Sequence, residues 1–219
     1  MSELAANART FFRQKENRYL LFGLILPAYL IAFSLIEALI PADACKPTYI
    51  PLDDKIPFLE GFVVPYMLWF PMILAMAAYL AWRDHEGFKR YMTFLGVSLS
   101  TVLVLYVLFP NRQDLRVTQF PRDNLFTWIV SIVYSQDTNT NVCPSIHVVG
   151  SLAVGFAALH CKRLRRPVAQ VAIWALCILV SVSTVFVKQH SALDVILAVP
   201  LSVAAYFVVY RLIFKKAKN

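Results

Sequence analysis

The chain has 219 residues, of which 59% are hydrophobic and only 16% are charged, and its mean hydropathy is +0.61. Soluble domains are about 45–50% apolar and about 25% charged, so this composition excludes an ordinary soluble domain. A net charge of +8 would suggest nucleic-acid binding in a soluble protein, but in a membrane protein the positions of the charges decide their meaning.

Six apolar segments are long enough to cross a bilayer, which takes about 20 residues for each helix. They cover residues 19–40, 61–82, 91–110, 145–161, 167–187 and 192–214. These segments leave no room for a separate soluble domain. The sequence therefore predicts an all-α fold with a single integral membrane domain over residues 1–219, a bundle of six transmembrane helices preceded by a cytoplasmic arm at residues 1–18.

The first apolar segment has one feature of a signal peptide, because "ADA" at residues 42–44 has the pattern of a cleavage site. Its apolar stretch, residues 19–40, is longer than the roughly 7–15 residues of a signal-peptide core. We therefore expect a retained transmembrane helix.

Most of the basic residues gather in four places that six crossings would put on one side of the membrane. These places hold Arg9, Arg13, Lys15 and Arg18; Arg83, Lys89 and Arg90; Lys162, Arg163, Arg165 and Arg166; and Arg211, Lys215, Lys216 and Lys218. Because basic loops stay cytoplasmic, we predict a multi-pass protein of the cytoplasmic (plasma) membrane with both termini inside. The N-terminal arm either lies on the anionic lipid surface or is simply solvated, and nucleic acid is not expected as a partner.

The remaining polar signals converge on the opposite face. The connection from Pro110 to Cys143 is the longest loop of this layout, and loops of such length are usually functional. The topology places seven ionisable residues at this outer, or periplasmic, face: Arg112, Arg116, Arg122, His147, Lys188, His190 and Asp194. Ionisable groups at the ends of apolar helices are costly, so the default hypothesis is that they are functional.

The segment "KQHSALDV" places His190 and Asp194 four residues apart, on one helix face. A carboxylate bonded to one imidazole nitrogen fixes the tautomer and leaves the other nitrogen free as a base or nucleophile. A lone pattern of this kind is equally compatible with structural capping of the helix.

The segment "NVCPSIHVVG" begins the fourth apolar run with proline, serine and histidine. Pro144 suits the first position of a helix, and a helix N-terminus with Ser145 and nearby arginines is suited to an anion. His147 could protonate a leaving oxygen. One histidine that attacks, one that donates a proton and several cations form an arrangement suited to phosphoryl transfer.

These residues resemble motifs of the type 2 phosphatidic acid phosphatase superfamily. "PSIH" is similar to its PSGH motif, and "STVFVKQHSALD" is similar to its S-R-x5-H-x3-D motif at Ser183, Thr184, His190 and Asp194. The resemblance implies that His190 forms a phosphohistidine that Asp194 orients, and that His147 is the acid. It also implies that Ser145 and Arg116 bind the phosphoryl oxygens, and that no metal or other cofactor takes part.

The chain also departs from the family pattern. In the first motif, K-x6-R-P, Arg116 matches the arginine, but Phe109 occupies the lysine position and Val117 the proline position. Thr184 stands where the third motif has arginine. Lys188, or alternatively Arg112, is predicted to supply the missing phosphate-binding charge.

The motifs leave the reaction open. The first expectation is hydrolysis of a phosphomonoester or diphosphate lipid. Ile146 replaces the motif glycine, which resembles the branch containing inositol phosphorylceramide and sphingomyelin synthases and favours head-group transfer instead. A catalytically silent lipid-binding relative is a third alternative, weakened by the presence of both histidines and the aspartate. A metal site made by His147, His190 and Asp194 is a fourth, disfavoured because nearby arginines would repel the ion.

The sequence predicts a membrane lipid phosphate as the partner but does not name the lipid or the oligomeric state. Cys45 and Cys143 both lie on the predicted outer face. A disulfide between them is permitted in an oxidising compartment but is not implied by their spacing.

Overall fold

The computed structural model describes residues 15–215, and this part of the chain is largely helical. Most of the predicted arm at residues 1–18, together with residues 216–219, lies outside the described residues. The α-helices are α1 (Ile25–Leu39), α2 (Val63–Met67), α3 (Trp69–Arg83), α4 (His85–Leu108), α5 (Leu125–Gln136), α6 (Ile146–His160), α7 (Pro167–Phe186) and α8 (Ala192–Tyr206). A 3-10 helix, Lys15–Leu24, precedes α1, and a π-helix, Phe207–Ile213, continues α8.

Five helical stretches within residues 15–215 are long and apolar enough to cross a membrane. They are Asn17–Leu39, Glu60–Arg83, His85–Leu108, Pro167–Phe186 and Ala192–Ile213. The predicted all-α class is thereby confirmed, and five of the six predicted segments correspond to these candidate spans. The other segment, 145–161, corresponds to α6, whose 15 residues extend over only about 22 Å at the helical rise. That is less than a hydrocarbon core of about 30 Å.

The shortness of α6 has a physical reason in its position. Ten of its 15 residues are buried, and it packs against α3, α4, α7 and α8. A Cβ atom on Gly150 would come within 2.6 Å of Ile73 and Trp69, and one on Gly155 within 2.7 Å of Trp174. The two glycines therefore let α3 and α7 approach closely, and α6 is shielded from lipid by its neighbours rather than matched to the bilayer thickness.

The connection predicted as the longest loop, residues 110–143, contains a helix of its own. This helix, α5, starts at a capping box in which Asn124 accepts from the backbone N–H of Thr127 and the Thr127 hydroxyl oxygen accepts from the N–H of Asn124. The same segment also pairs with the first loop, since β1 (Lys46–Pro47) runs parallel to β2 (Asn111–Arg112). The connection predicted as the longest loop therefore contains a helix and a short strand.

The third membrane helix also starts earlier than predicted, at His85 rather than at residue 91. Asp84 is its N-cap and accepts a hydrogen bond from the backbone N–H of Gly87 at 2.8 Å. A charged first turn lowers local hydropathy without preventing helix formation, which explains the misplaced boundary. Cys45 and Cys143 are both free thiols, so the disulfide considered above is not formed.

Candidate active site

His147, His190 and Asp194 form a continuous hydrogen-bonded line. His190 Nδ1 lies 3.1 Å from Asp194 Oδ2, and His190 Nε2 lies 3.2 Å from His147 Nδ1. All three side chains are buried: His190 is 5% exposed, His147 is 7% exposed and Asp194 is 0% exposed. Because a carboxylate accepts, Asp194 favours a proton on His190 Nδ1, which leaves Nε2 as an acceptor facing the proton on His147 Nδ1.

The turn between α7 and α8 fixes the backbone of His190. The carbonyl of Thr184, the residue in the motif-arginine position, accepts from the backbone N–H groups of both Gln189 and His190. Lys188 adopts a left-handed conformation, with φ of 56°, and turns the chain toward α8. Thr184 is fully buried, so in this chain it supports the turn rather than presenting a charge.

The start of α8 holds Asp194 in place. Ser191 caps the helix, its hydroxyl oxygen accepting from the Leu193 N–H, while Asp194 Oδ2 accepts from the Ser191 N–H at 3.0 Å. The structural-capping interpretation and the imidazole-orienting interpretation are therefore both satisfied by one carboxylate. The capping bond fixes the carboxylate that contacts His190.

The two motifs meet directly through the backbone. Ser145 N–H donates to the Asp194 carbonyl at 3.1 Å, which ties the start of α6 to the start of α8. The Tyr106 hydroxyl donates to the Pro144 carbonyl at 2.9 Å, and the Asn111 side chain accepts from the backbone N–H groups of Val142 and Cys143. These bonds hold the "PSIH" segment at the end of the bundle where α8 begins.

Two aromatic residues that carried no functional signal in the sequence surround His147. Its ring centroid lies 4.7 Å from that of Tyr66 and 4.4 Å from that of Trp69. Tyr66 and Trp69 lie at the start of a span that is distant in sequence, so no local motif could have identified them. Their packing restricts rotation of the imidazole that faces His190.

Arg116 lies beside the histidine pair but is fully engaged. It donates to the side-chain oxygen of Gln189 at 2.7 and 3.0 Å and to the carbonyls of Tyr134, Asp137 and Thr138. Gln189 directly precedes His190, so the contact ties Arg116 to the turn that carries the candidate nucleophile. In this arrangement every guanidinium N–H group has a protein acceptor.

The two residues predicted to compensate for missing motif charges have other contacts. Lys188 Nζ donates to the carbonyls of Asp53 and Ile56, and burial lowers its pKa, although neighbouring acidic groups oppose this shift. Arg112 forms an ion pair with Asp114 at 3.1 Å and donates to the carbonyls of Ala42 and Cys45. Both bind the first loop, and their role as phosphate ligands stays a prediction.

Several donors near the histidine pair are buried without a hydrogen-bond partner among residues 15–215. They include the Ser145 hydroxyl, the Nε2 amide of Gln189 and the indole Nε1 of Trp69, which packs against His147. An unpaired buried polar group is costly, so these donors are suited to bind the oxygen atoms of a ligand. Within the same residues, no group of three His, Cys, Asp or Glu side chains is arranged to hold a metal ion.

An apolar cavity of about 300 Å³ extends to one member of the histidine pair, His147. It lies between α1, α3, α4 and the start of α6, and its wall includes His147. Six of the other lining residues are Leu26, Tyr29, Phe33, Trp69, Ile73 and Leu99. The cavity provides an apolar surface beside a polar, titratable centre.

Comparison with known protein families gives one match. The family model described as "PAP2 superfamily" covers residues 95–218, more than half of the chain, and both histidine motifs lie within this range. No curated protein and no solved structure was found to match the chain.

Proposed function

The chain belongs to the PAP2 superfamily, and we propose that it is a membrane lipid phosphatase that hydrolyses a phosphomonoester or diphosphate lipid through a phosphohistidine. The proposal depends above all on the line from Asp194 through His190 to His147. A carboxylate that fixes the tautomer of one imidazole, and a second imidazole opposite its free nitrogen, supply the orienting group, nucleophile and acid of such a reaction.

In the first proposed step, the lone pair of His190 Nε2 attacks phosphorus while its Nδ1–H remains bonded to Asp194. The bond from phosphorus to the lipid oxygen breaks, and a protonated His147 gives its Nδ1 proton to that oxygen. The 3.2 Å contact between the two rings has to open in this step, because phosphorus takes the position of the hydrogen bond.

In the second step, neutral His147 removes a proton from water, and the resulting hydroxide attacks the phosphohistidine. The nitrogen–phosphorus bond breaks, which restores His190 and releases inorganic phosphate. Each histidine thus returns to its starting protonation state.

The phosphoryl oxygens need hydrogen-bond donors, because the site is buried. Ser145, whose hydroxyl is buried and unpartnered, and the free backbone N–H groups at the start of α6 supply them. Gln189 offers an unpartnered amide beside them. Arg116 contributes a nearby positive charge, and a direct bond to phosphate would require it to exchange one of its present acceptors.

The apolar cavity supports a lipid as the substrate. Its wall passes from Leu26 and Phe33 to Trp69 and His147, so an acyl or isoprenoid chain can lie between α1 and α3 with its phosphate beside the histidines. The distribution of basic residues supports placing this end of the bundle at the outer, periplasmic face of the cytoplasmic membrane.

Head-group transfer to an alcohol would use the same phosphohistidine, with a lipid hydroxyl in place of water. The bulky Ile146 in the motif-glycine position is the feature that favours it. Assaying free phosphate and new phosphodiester lipid in parallel separates the two reactions.

The central test is His190→Ala in the purified full-length protein, incubated with phosphatidate and with a polyprenyl diphosphate. We expect loss of turnover and of acid-labile protein-bound phosphate. His85→Ala is the matched control, because His85 is exposed and stacks on Tyr19 at the opposite end of the bundle; it should retain both signals. Normal turnover in His190→Ala would contradict the mechanism.

The variant His147→Ala tests the role of the proposed acid separately from that of the nucleophile. Because it removes only the proton donor, an aryl phosphate with a good leaving group should retain much more of its wild-type rate than a lipid phosphate. Equal losses on the two substrates would assign His147 a structural role.

A further inference from the structure

A second cavity, of about 610 Å³, opens at the end of the bundle opposite the histidine pair. It lies where α3 ends, α4 begins, α6 ends and the π-helix after α8 finishes. Six basic residues line it: Arg83, Arg90, Lys162, Arg163, Arg165 and Arg211. Basic residues are expected at a cytoplasmic membrane surface, but residues that are merely scattered along that surface would not line a cavity together.

The acidic residues in the wall do not neutralise this charge. Asp84 and Glu86 are the two acidic residues that line the cavity. Asp84 is occupied in capping α4, and Glu86 pairs with Lys89 at 3.3 Å and Arg90 at 3.6 Å. Lys162, Arg163 and Arg211 form no ion pair with any residue of the described range 15–215.

Two further donors in the lining are buried without a partner in the described part of the chain. The Tyr210 hydroxyl and Arg90 Nε are both of this kind, and Tyr210 as a whole is only 6% exposed. His160, which also lines the cavity, stacks on Tyr210 at 4.5 Å and bonds to the Tyr206 hydroxyl. Leaving such donors unpaired is costly, and an anion with several oxygens would satisfy them.

We propose that this cavity binds a phosphate group, carried by an anionic lipid or free in solution. Arginine forks match phosphate oxygens and form charge-assisted bonds with them, and the volume suffices for a phosphorylated head group. The site is separate from the histidine pair and does not depend on the proposed reaction.

The test measures binding of two probes to the purified full-length protein by native mass spectrometry and calorimetry. Dioctanoyl phosphatidylglycerol represents the lipid source, and inorganic phosphate the free source. The double variant Arg163→Gln/Arg211→Gln removes two exposed cavity charges. Arg18→Gln/Arg166→Gln is the matched control, since it removes two exposed charges from the same end of the bundle outside the cavity.

We expect the cavity variant to weaken binding about tenfold or more, and the control to stay within about twofold of wild type. Loss confined to phosphatidylglycerol would identify the lipid as the source, and loss confined to inorganic phosphate would identify the free anion. Tyr210→Phe, which removes only the buried hydroxyl, should weaken binding without lowering the unfolding temperature. Absence of binding, or equal affinities in the cavity and control variants, would overturn the proposal.

Discussion

Asp53 shows how a residue in the first loop can hold the candidate active site. It is only 2% exposed, and its carboxylate accepts from the Ser191 hydroxyl and the Ala192 N–H, both at 2.7 Å. Its backbone carbonyl accepts from Lys188. Asp53 therefore contacts the residues on both sides of His190 without touching either imidazole.

We predict that Asp53→Asn lowers stability by about 1–3 kcal/mol and kcat by roughly tenfold to a hundredfold. The asparagine side chain would place an N–H donor where a carboxylate oxygen of Asp53 now accepts hydrogen bonds, so that donor would face the donors of Ser191 and Ala192. The Michaelis constant should change little, because Asp53 does not line the apolar cavity. Thermal unfolding in detergent and steady-state rates on phosphatidate measure the two effects.

Asp54→Asn is the matched control for this variant. Asp54 is the adjacent residue with the same side chain, but it is exposed and bonds to the Tyr49 hydroxyl. It should behave as wild type. A kcat of Asp53→Asn equal to that of Asp54→Asn would show that the loop does not position His190.

The sequence predicted which residues meet at the histidine pair better than it predicted the contacts of the surrounding cations. The spacing of His190 and Asp194 within one helical turn sets their distance locally. In contrast, Lys188 finds its acceptors in Asp53 and Ile56, more than 130 positions away. Such partners depend on how loops pack, which hydropathy and spacing do not encode, and the same holds for Tyr66 and Trp69.

At the level of elements, α6 is the helix on which the site depends most. It carries Ser145 as its N-cap and His147 in its first turn, and Gly150 lets it approach α3. Trp69, the residue that a Cβ on Gly150 would strike, also packs against His147. Packing of α6 against α3 and placement of the histidine are therefore coupled.

We predict that Gly150→Ala destabilises the protein by about 1–3 kcal/mol, the usual cost of overpacking, and also lowers activity. The methyl group would displace the indole of Trp69 and the side chain of Ile73. Gly61→Ala is the control, because a Cβ there meets nothing within 4 Å and should leave stability and activity unchanged. An unfolding temperature of Gly150→Ala equal to that of the control would refute this coupling.

The long helices were predictable because lipid imposes a single requirement, a continuous apolar stretch. The requirement for a long apolar stretch does not account for helices α5 and α6, and the reason differs between them. Residues 125–136 lie within the connection predicted as a loop, and their 12 residues are too few to span a bilayer, although the capping residues Asn124 and Thr127 are visible in the sequence. Helix α6 is surrounded by other helices rather than by lipid, so the length of its 15 residues does not have to match the thickness of the bilayer.

The whole molecule has two chemically different ends. One end carries the histidine pair and the apolar cavity, and the other carries the basic cavity. Among the described residues 15–215, the Lys and Arg residues at or near the histidine end are Lys46, Lys55, Arg112, Arg116, Arg122 and Lys188. Several of these six are occupied by loop carbonyls or acids, whereas the opposite end keeps unpaired cations.

This asymmetry predicts the orientation of the protein in the membrane. Because basic segments are retained on the cytoplasmic side, we expect the basic cavity to face the cytoplasm and the histidine pair to face outside. Two exposed positions report on the two ends: Thr118, in the segment that carries Arg116, and Arg166, directly before α7. If a cysteine is introduced at each position separately, we predict opposite results for its labelling by a membrane-impermeant maleimide.

In intact cells Thr118→Cys should label and Arg166→Cys should not, and both should label after the cells are permeabilised. The native thiols give a low background, since Cys45, Cys161 and Cys177 are buried and Cys143 is half-buried, and the unsubstituted protein measures it. Labelling of Arg166→Cys but not Thr118→Cys in intact cells would reverse the orientation. The histidine pair would then act on lipid phosphates of the inner leaflet, and the basic cavity would face outside, although the chemistry proposed for either site would be unchanged.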